Sequence, residues 1–131
     1  MESLLIRSPE DRELKYQLAQ CQTNLALSIA KTSLTEAENI YRSVASRAAE
    51  LVADDPGNPE YRGLQQKVLG NLGLILPSLG RSPEAEGILR QAVTIEEGLV
   101  RDFPQVPKHQ DRLANSLNSF GIVLHYPKRV E

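Results

Sequence analysis

Several residue types that stabilise small secreted or all-β proteins are rare or missing in this sequence. It has no Trp, and aromatic residues make up only 5% of its 131 residues. Cys21 is the only cysteine, which excludes an internal disulfide and a thiolate metal cluster within one chain. A core must therefore come mainly from Leu, Ile, Val and Ala, a composition that favours packed helices over a β-sandwich. The single thiol also fits a reducing compartment, so we expect a cytoplasmic protein.

An excess of basic charge and a long apolar run are also lacking. The formal net charge is −2, and the Lys and Arg residues are scattered among Asp and Glu. Nucleic-acid binding depends on a basic face that neutralises phosphates, so we expect no nucleic-acid partner. The longest apolar runs, such as residues 72–76, are too short to span a membrane, and no signal-peptide pattern begins the chain. The length fits one domain.

What the sequence does contain is an internal repeat. Leu25, Leu72 and Phe120 follow one another at offsets of 47 and 48 residues, and residues 84–90 match residues 36–42 at an offset of 48. A period of roughly 20 to 50 residues is typical of stacked arrays. The repeat predicts a single array over residues 1–131. Its parts are a partial repeat at 1–10, repeat one at 11–57, repeat two at 58–105, and a half repeat or cap helix at 106–131.

Apolar residues recur at helical spacing within each copy, and the pattern is interrupted so as to predict two helices per repeat. The predicted helices cover residues 11–31, 33–54, 59–79, 82–102 and 107–125. Three polar residues are predicted to act as helix N-caps, the first of them in a capping box. They are Ser33, Asn58 and Ser82. Pro77 is expected to kink or end the third helix, because proline lacks a backbone donor, and Gly80 is expected to close it.

The central copy carries the residues of a recognisable family pattern. They are Leu69, Leu72, Gly73, Leu76, Gly80, Glu84, Ala85, Leu89 and Ala92. In type and spacing this pattern resembles the tetratricopeptide repeat, although the first copy has Ala26 in place of the glycine and the third keeps only the first-helix half. The long period is similar to that of the elongated repeats in kinesin light chains and beside bacterial serine/threonine kinases. The resemblance implies an all-α, right-handed α-solenoid of helix-turn-helix repeats with about five helices, whose first helices line a concave groove for peptides or proteins.

Three glycines inside predicted helices allow a separate physical argument. A glycine costs about 1 kcal/mol relative to alanine in a helix interior. At Gly73 this cost is reasonable if a neighbouring helix comes close, so we expect tight packing there. Gly87 and Gly98 have Asn39 and Glu50 at the equivalent positions of the first copy, and we therefore predict that both glycines face solvent.

The first helices also suggest where a partner binds. If Leu25, Leu72 and Phe120 point inward, the residues two further on lie about 200° round the helix and face away from the helix pair. The predicted groove residues are Gln20, Asn24, Leu27 and Lys31 in the first copy, Lys67, Asn71 and Leu74 in the second, and Asn115, Asn118 and Ile122 in the third. Thr23, Gly70, Ser78 and Ser119 belong to the same stripe. Amides suit an extended peptide backbone, and the two lysines favour an acidic partner residue. The alternative is that Leu27, Leu74 and Ile122 merely pack against neighbouring first helices.

Catalytic groups are few, and none has a supporting motif. His109 and His125 are sixteen residues apart, which no metal-ligand spacing accommodates, and we expect surface or cap roles for them. Cys21 is expected to be a packed thiol rather than a nucleophile. Residues 70–73 lack the strand and the basic residue of a phosphate loop. The paired glutamates at 36 and 38, and at 84 and 86, lie in first turns of helices, where the helix dipole explains them.

The leading hypothesis is therefore a non-catalytic protein-interaction module that needs no cofactor and no metal. Its partner is a protein or peptide, with neither nucleic acid nor membrane involved. One alternative is a homo-oligomerising scaffold segment, or a fragment of a longer array attached to a signalling protein. A small helical enzyme is the other alternative. The open ends of the array, and Val123 in particular, are expected to leave apolar surface bare and to permit self-association.

Overall fold

A computed structural model describes residues 9–130, and the side chains of residues 10–121. It is all-α and contains five helices that pack mostly on their neighbours in sequence. The helices are α1 (Pro9–Ile29), α2 (Leu34–Asp54), α3 (Pro59–Ile75), α4 (Ser82–Asp102) and α5 (Pro107–Val130). Within residues 9–130, no helix is both long and apolar enough to cross a membrane. The predicted partial repeat at 1–10 lies almost wholly outside the described residues.

The predicted helix starts hold with two differences in detail. The Ser33 hydroxyl accepts from the backbone N–H of Glu36 at 3.3 Å, which is one half of a capping box, while the Ser33 N–H donates to Ile29 instead. Asn58 caps α3 as predicted, accepting from two backbone N–H groups of the first turn at 2.9 and 3.3 Å. The prediction for Ser82 was wrong: α4 begins at this residue, Arg81 holds the cap position, and no side chain caps the helix.

The helix ends follow the prolines and glycines only in part. α3 stops at Ile75, and a 3-10 turn over Pro77–Leu79 leads to Gly80, whose φ of 78° is the left-handed conformation that glycine adopts without strain. The helix does end before Pro77, as predicted, but it stops four residues short of the predicted end at 79, and Gly80 closes the 3-10 turn instead of the helix. α5 runs to Val130, beyond the predicted end at 125, because a single proline near a helix end removes one donor without preventing the turn from continuing.

The core runs through the stacked helices as a continuous cluster with a smaller one beside it. Both are built from aliphatic residues, alanine and a few aromatics, as the composition predicted. The larger cluster contains Ala19 and Ala26 of α1, Ala37, Tyr41, Val44, Ala48 and Leu51 of α2, Tyr61, Leu64, Val68, Leu72 and Leu76 around α3, and Ala85 of α4. The smaller cluster joins α4 to α5 through Leu89, Ala92 and Phe120.

Close helix approach explains one glycine and corrects the prediction for another. A Cβ on Gly73 would lie 2.5 Å from the Leu89 side chain, so α3 and α4 meet at a distance that only glycine allows, as predicted. Gly87 is exposed with nothing within 4 Å, as predicted. Gly98 is buried rather than solvent-facing, because Arg62 crosses over it to reach Asp102 at 2.8 Å.

The middle first helix, α3, has two packed faces. On the face towards α2, which we call its preceding face, Tyr61, Val68 and Leu72 are 5%, 0% and 2% exposed and belong to the same core as α2. On the opposite side Gly73 meets α4 and Gly70 meets Phe120 of α5. α3 is therefore enclosed between the second helices of two repeats.

The first helix, α1, has the same pattern with one face uncovered. Ala26, equivalent to Gly73, is fully buried and belongs to the core shared with α2. Leu25, equivalent to the buried Leu72, is 53% exposed. The prediction that Leu25 points inward was wrong, because within the described residues no helix precedes α1 to cover that side.

Candidate functional site

The first helices α1, α3 and α5 enclose a cleft of about 340 Å³. All three of these helices line it. Tyr16 and Gln20 of α1, Glu60, Gly63, Leu64 and Lys67 of α3, and Lys108, His109 and Arg112 of α5 contribute to it, with Phe103 and Val106 from the corner before α5. The cleft therefore lies towards the start of α3 and of α5.

Three cations without an ion-pair partner converge in this cleft. Among the described residues, no carboxylate lies within ion-pair distance of Lys67, Lys108 or Arg112, and all three side chains are exposed. Glu60 is the only carboxylate in the lining. The cleft thus carries an excess of positive charge although the whole chain is slightly negative.

Most arginines elsewhere in the described residues are paired. Arg42 bonds Glu38 at 2.8 Å and Glu84 at 2.7 Å, and Arg81 also bonds Glu38, so this network ties the start of α2 to the start of α4. Hydrogen bonds from Arg42, ahead of those from Arg81, lower the pKa of Glu38 despite its burial. The ion pairs of Arg42 and Arg81 thus link α2 to α4, away from the cleft.

The α1 side of the cleft offers neutral hydrogen-bonding groups. Gln20 donates to the Tyr16 hydroxyl at 3.0 Å, and the Tyr16 ring packs at 5.5 Å on Tyr61. Burial, followed by the nearby Glu60 carboxylate, raises the pKa of Tyr16. The phenol therefore remains protonated at neutral pH and can donate to an acceptor in the cleft.

One of the residues that line the cleft, His109, belongs to a buried polar pair. His109 is 3% exposed and Glu96 is fully buried, with 3.9 Å between the imidazole Nδ1 and the nearer carboxylate oxygen. This distance is too long for a hydrogen bond, and neither the Glu96 oxygens nor Nδ1 has another partner among the described residues. Burial raises the pKa of Glu96 and, together with the Lys108 charge, lowers the pKa of His109. Both directions favour the neutral forms.

The structure revises the expectations for the possible catalytic residues. His109 is buried against α4 and not at the surface, while His125 lies outside the described side chains. Cys21 is exposed, whereas a packed thiol was expected, and it does not line the cleft. No group of three or more possible metal ligands occurs in the described part of the chain. The arrangement places cations and hydrogen-bond donors around a cavity.

Only two of the predicted groove residues with described side chains line the cleft. Gln20 and Lys67 line the cleft together. The others do not line it: Asn24, Leu27, Lys31, Leu74, Asn115 and Asn118 are exposed and Asn71 is half-buried, whereas Ile122 lies outside the described side chains. Leu27 and Leu74 are 52% and 40% exposed, so they are not packed between first helices.

Two further members of the predicted stripe are buried. Thr23 is 1% exposed, and its hydroxyl donates to the Ala19 carbonyl at 2.8 Å. Gly70 faces α5, where a Cβ would lie 2.9 Å from the Phe120 ring. Thr23 was positioned from Leu25, which does not point inward, whereas Gly70 is buried because α3 has a second packed face, towards α4 and α5.

Sequence reasoning missed the contribution of α5 and of the corner before it. Lys108, His109 and Arg112 lie in the first two turns of α5, and Phe103 precedes them. The available signal was the repeat itself, because His109 and Arg112 occupy the places that Tyr61 and Leu64 hold in α3, one period earlier. Comparisons with protein-family models, with curated proteins and with solved structures find no match.

Proposed function

We propose that this protein is a non-catalytic interaction module whose cleft between the first helices binds an acidic segment of a protein partner. One observation carries the proposal: three cations that have no ion-pair partner among the described residues meet at one cavity, in a chain of net negative charge. A carboxylate brought between Lys67 and Arg112 would form charge-assisted hydrogen bonds, which are roughly twice as strong as neutral ones. The Tyr16 hydroxyl and the Gln20 amide would then bond to the backbone of the bound segment.

We further infer that the helix pairs form a right-handed solenoid of the tetratricopeptide type. Equivalent positions of α3 and α5 are buried in the same way, which supports a regular stacking of repeats. The residues are Tyr61, Val68 and Leu72 in α3, and His109, Ser116 and Phe120 in α5. A solenoid would place α1, α3 and α5 along one side, which is where the cleft lies. The extended surface of such arrays typically binds peptides.

The proposal is tested by selecting random peptides on the immobilised protein and measuring the affinity of the selected peptides. We expect the selected peptides to be acidic, and we expect Lys67→Glu with Arg112→Glu to weaken their binding by at least about tenfold, or 1.4 kcal/mol. Binding should also weaken as salt is added, because the exposed charges are screened. Circular dichroism checks that the variant remains folded.

Lys31→Glu is the matched control. Lys31 is an exposed lysine of the predicted groove that does not line the cleft. The variant should bind the selected peptides nearly as well as the wild type. A selection that yields neutral or basic peptides would contradict the proposal. Equal loss of binding in Lys31→Glu would move the site from the cleft to the predicted row of Leu27 and Leu74.

A further inference from the structure

Within the described residues, no helix covers the preceding face of α1, the face that holds Leu25. Leu14, Cys21 and Leu25 stand one repeat before Tyr61, Val68 and Leu72, all of which are buried. In α1 the two leucines are 64% and 53% exposed, and Cys21 is exposed. Leu18, at 51% exposure, lies beside them. We call these four residues the α1 stripe, which covers an arc of about 60° and a length of about 16 Å.

The composition around the stripe is that of an interface core. No charged residue occurs between Lys15 and Lys31, so about four turns of α1 are uncharged. Charged residues are depleted at the centres of protein interfaces, and exposed apolar patches of this kind mark association sites. A solvent-facing helix of a monomer normally carries charge on its outer side.

The spacing of the stripe is self-complementary. Leu14 and Leu25 lie equally far from a point midway between residues 19 and 20, and so do Leu18 and Cys21. When two copies of α1 pack antiparallel around a two-fold axis at that point, Leu14 meets Leu25 of the other copy and Leu18 meets Cys21. A two-fold interface needs this property, because the same patch must match itself.

Charge at the two ends of α1 fits only the antiparallel arrangement. The first turn carries Glu10 and Asp11, and Lys31 follows the last turn. Antiparallel packing brings the acidic first turn of one copy, with Glu10, towards the end of α1 in the other copy, which Lys31 follows. Parallel packing would place the acidic turns together, which is unfavourable.

We propose that the α1 stripe docks on the same stripe of a second copy of this chain, as an antiparallel two-fold helix pair. The interface is one helix wide and therefore belongs to the small class, whose complexes dissociate on dilution. The cleft is not part of this surface, since Leu14, Leu18, Cys21 and Leu25 do not line it.

Sedimentation of the full chain over a dilution series tests the proposal. The mass should rise with concentration from 14.5 kDa to twice that value and no further, because a two-fold interface closes. Leu18→Glu should weaken dimerisation by at least about tenfold, since the dimer carries two copies of the substitution. Leu27→Glu is the matched control: Leu27 has 52% exposure against 51% for Leu18 and lies half a turn round the helix, so dimerisation should persist.

Cysteine pairing tests the register. In a Cys21→Ala background, Leu14→Cys combined with Leu25→Cys should give a disulfide-linked dimer under mild oxidation, whereas either cysteine alone should not. Within one chain the two positions are about 16 Å apart, too far for a disulfide. The proposal is overturned if the wild type stays monomeric throughout, if the mass grows past the dimer, or if Leu27→Glu abolishes association and Leu18→Glu does not. Cross-linking by the single-cysteine variants as efficient as that by the pair would overturn the antiparallel register.

Discussion

α1 and α3 hold the same place in successive repeats, yet their preceding faces lie in different environments. Leu72 is 2% exposed between α2 and α4, whereas Leu25, its counterpart 47 residues earlier, is 53% exposed. The local sequences predict the same orientation for both leucines. The difference shows that the burial of a helix face is decided by the helix beside it, so a face that is core in α3 is exposed in α1.

A third version of the same contact occurs between α4 and α5. Ala48 of α2 is buried in the same core as Tyr61, on the preceding face of α3. One period later the equivalent residues are Glu96 of α4 and His109 of α5, which lie against each other. The repeat position of Tyr61 is thus apolar and buried in α3, polar and buried in α5, and apolar and exposed in α1, where the residue is Leu14. One repeat position therefore shows packing, buried polarity and exposure within one chain.

Truncating the two equivalent leucines should give the largest difference in stability between α3 and α1. Leu72→Ala should lower the free energy of unfolding by about 2 to 5 kcal/mol, because a buried leucine leaves a cavity. Leu25→Ala should change it by less than about 0.5 kcal/mol, as for an exposed site. Urea denaturation at a concentration where the chain is monomeric measures both. Similar losses in the two variants would mean that Leu25 is covered in solution even in the monomer.

Replacing the polar pair Glu96 and His109 by the residues of the preceding repeat should have the next largest effect on stability. Glu96→Ala with His109→Tyr installs at α4 and α5 the residues found at α2 and α3. Replacing a buried ionisable pair by packed apolar groups often stabilises a protein by about 1 to 4 kcal/mol, and we expect a gain in this range. Thermal unfolding near neutral pH measures it. A loss of stability would show that the pair makes a favourable contact despite the 3.9 Å separation.

The pH dependence of the stability shows whether Glu96 or His109 is responsible for the cost of the buried pair. Burial raises the folded-state pKa of Glu96 above its ordinary 4.5, so the stability from this group is present below about pH 4.5 and is lost as the pH rises through the folded value. Glu96→Gln should therefore stabilise the protein more at about pH 8 than at about pH 4. His109 acts in the opposite direction, since its pKa is lowered and its contribution is lost as the pH falls below 6.5. An equal gain from Glu96→Gln at both pH values would contradict the raised pKa.

Glycine substitutions should give the smallest effects, and their signs should differ. Gly73→Ala gains about 1 kcal/mol of helix propensity but inserts a methyl group 2.5 Å from Leu89, an overpacking that costs about 1 to 3 kcal/mol, so the net change should be destabilising. Gly87→Ala, in open space, should stabilise by up to about 1 kcal/mol. Denaturation midpoints separate the two. A stabilising Gly73→Ala would show that Leu89 moves aside readily.

The helices could be predicted from the sequence, but the neighbours that each helix packs against could not. Helix ends could be predicted because caps and breakers act locally, as Asn58 and Gly80 do. The orientation of α1 could not, since Leu25 follows an asparagine and precedes a small residue, as Leu72 does, but no helix of the described residues lies beyond it. The prediction for Gly98 failed for a similar reason, because its cover is Arg62, 36 positions away in the chain.

The candidate site shows the same division. Gln20 and Lys67 were predicted from helical spacing and do line the cleft. Lys108, His109 and Arg112 were missed because the prediction followed the middle of each first helix, whereas the cleft lies towards the start of α3 and α5. Which cations remain unpaired depends on where the carboxylates of other helices lie, and only the packed structure shows this.

The central claim is that α1 presents, uncovered, the face that α3 buries, and thiol reactivity tests it directly. Cys21 of the wild type and Val68→Cys in a Cys21→Ala background occupy the same repeat position, exposed in the first case and 0% exposed in the second. In dilute, monomeric protein, Cys21 should react with a thiol reagent nearly as fast as in the unfolded chain. The cysteine of Val68→Cys should react at least about a hundredfold more slowly, since it must wait for local opening. Comparable rates at the two positions would contradict the account.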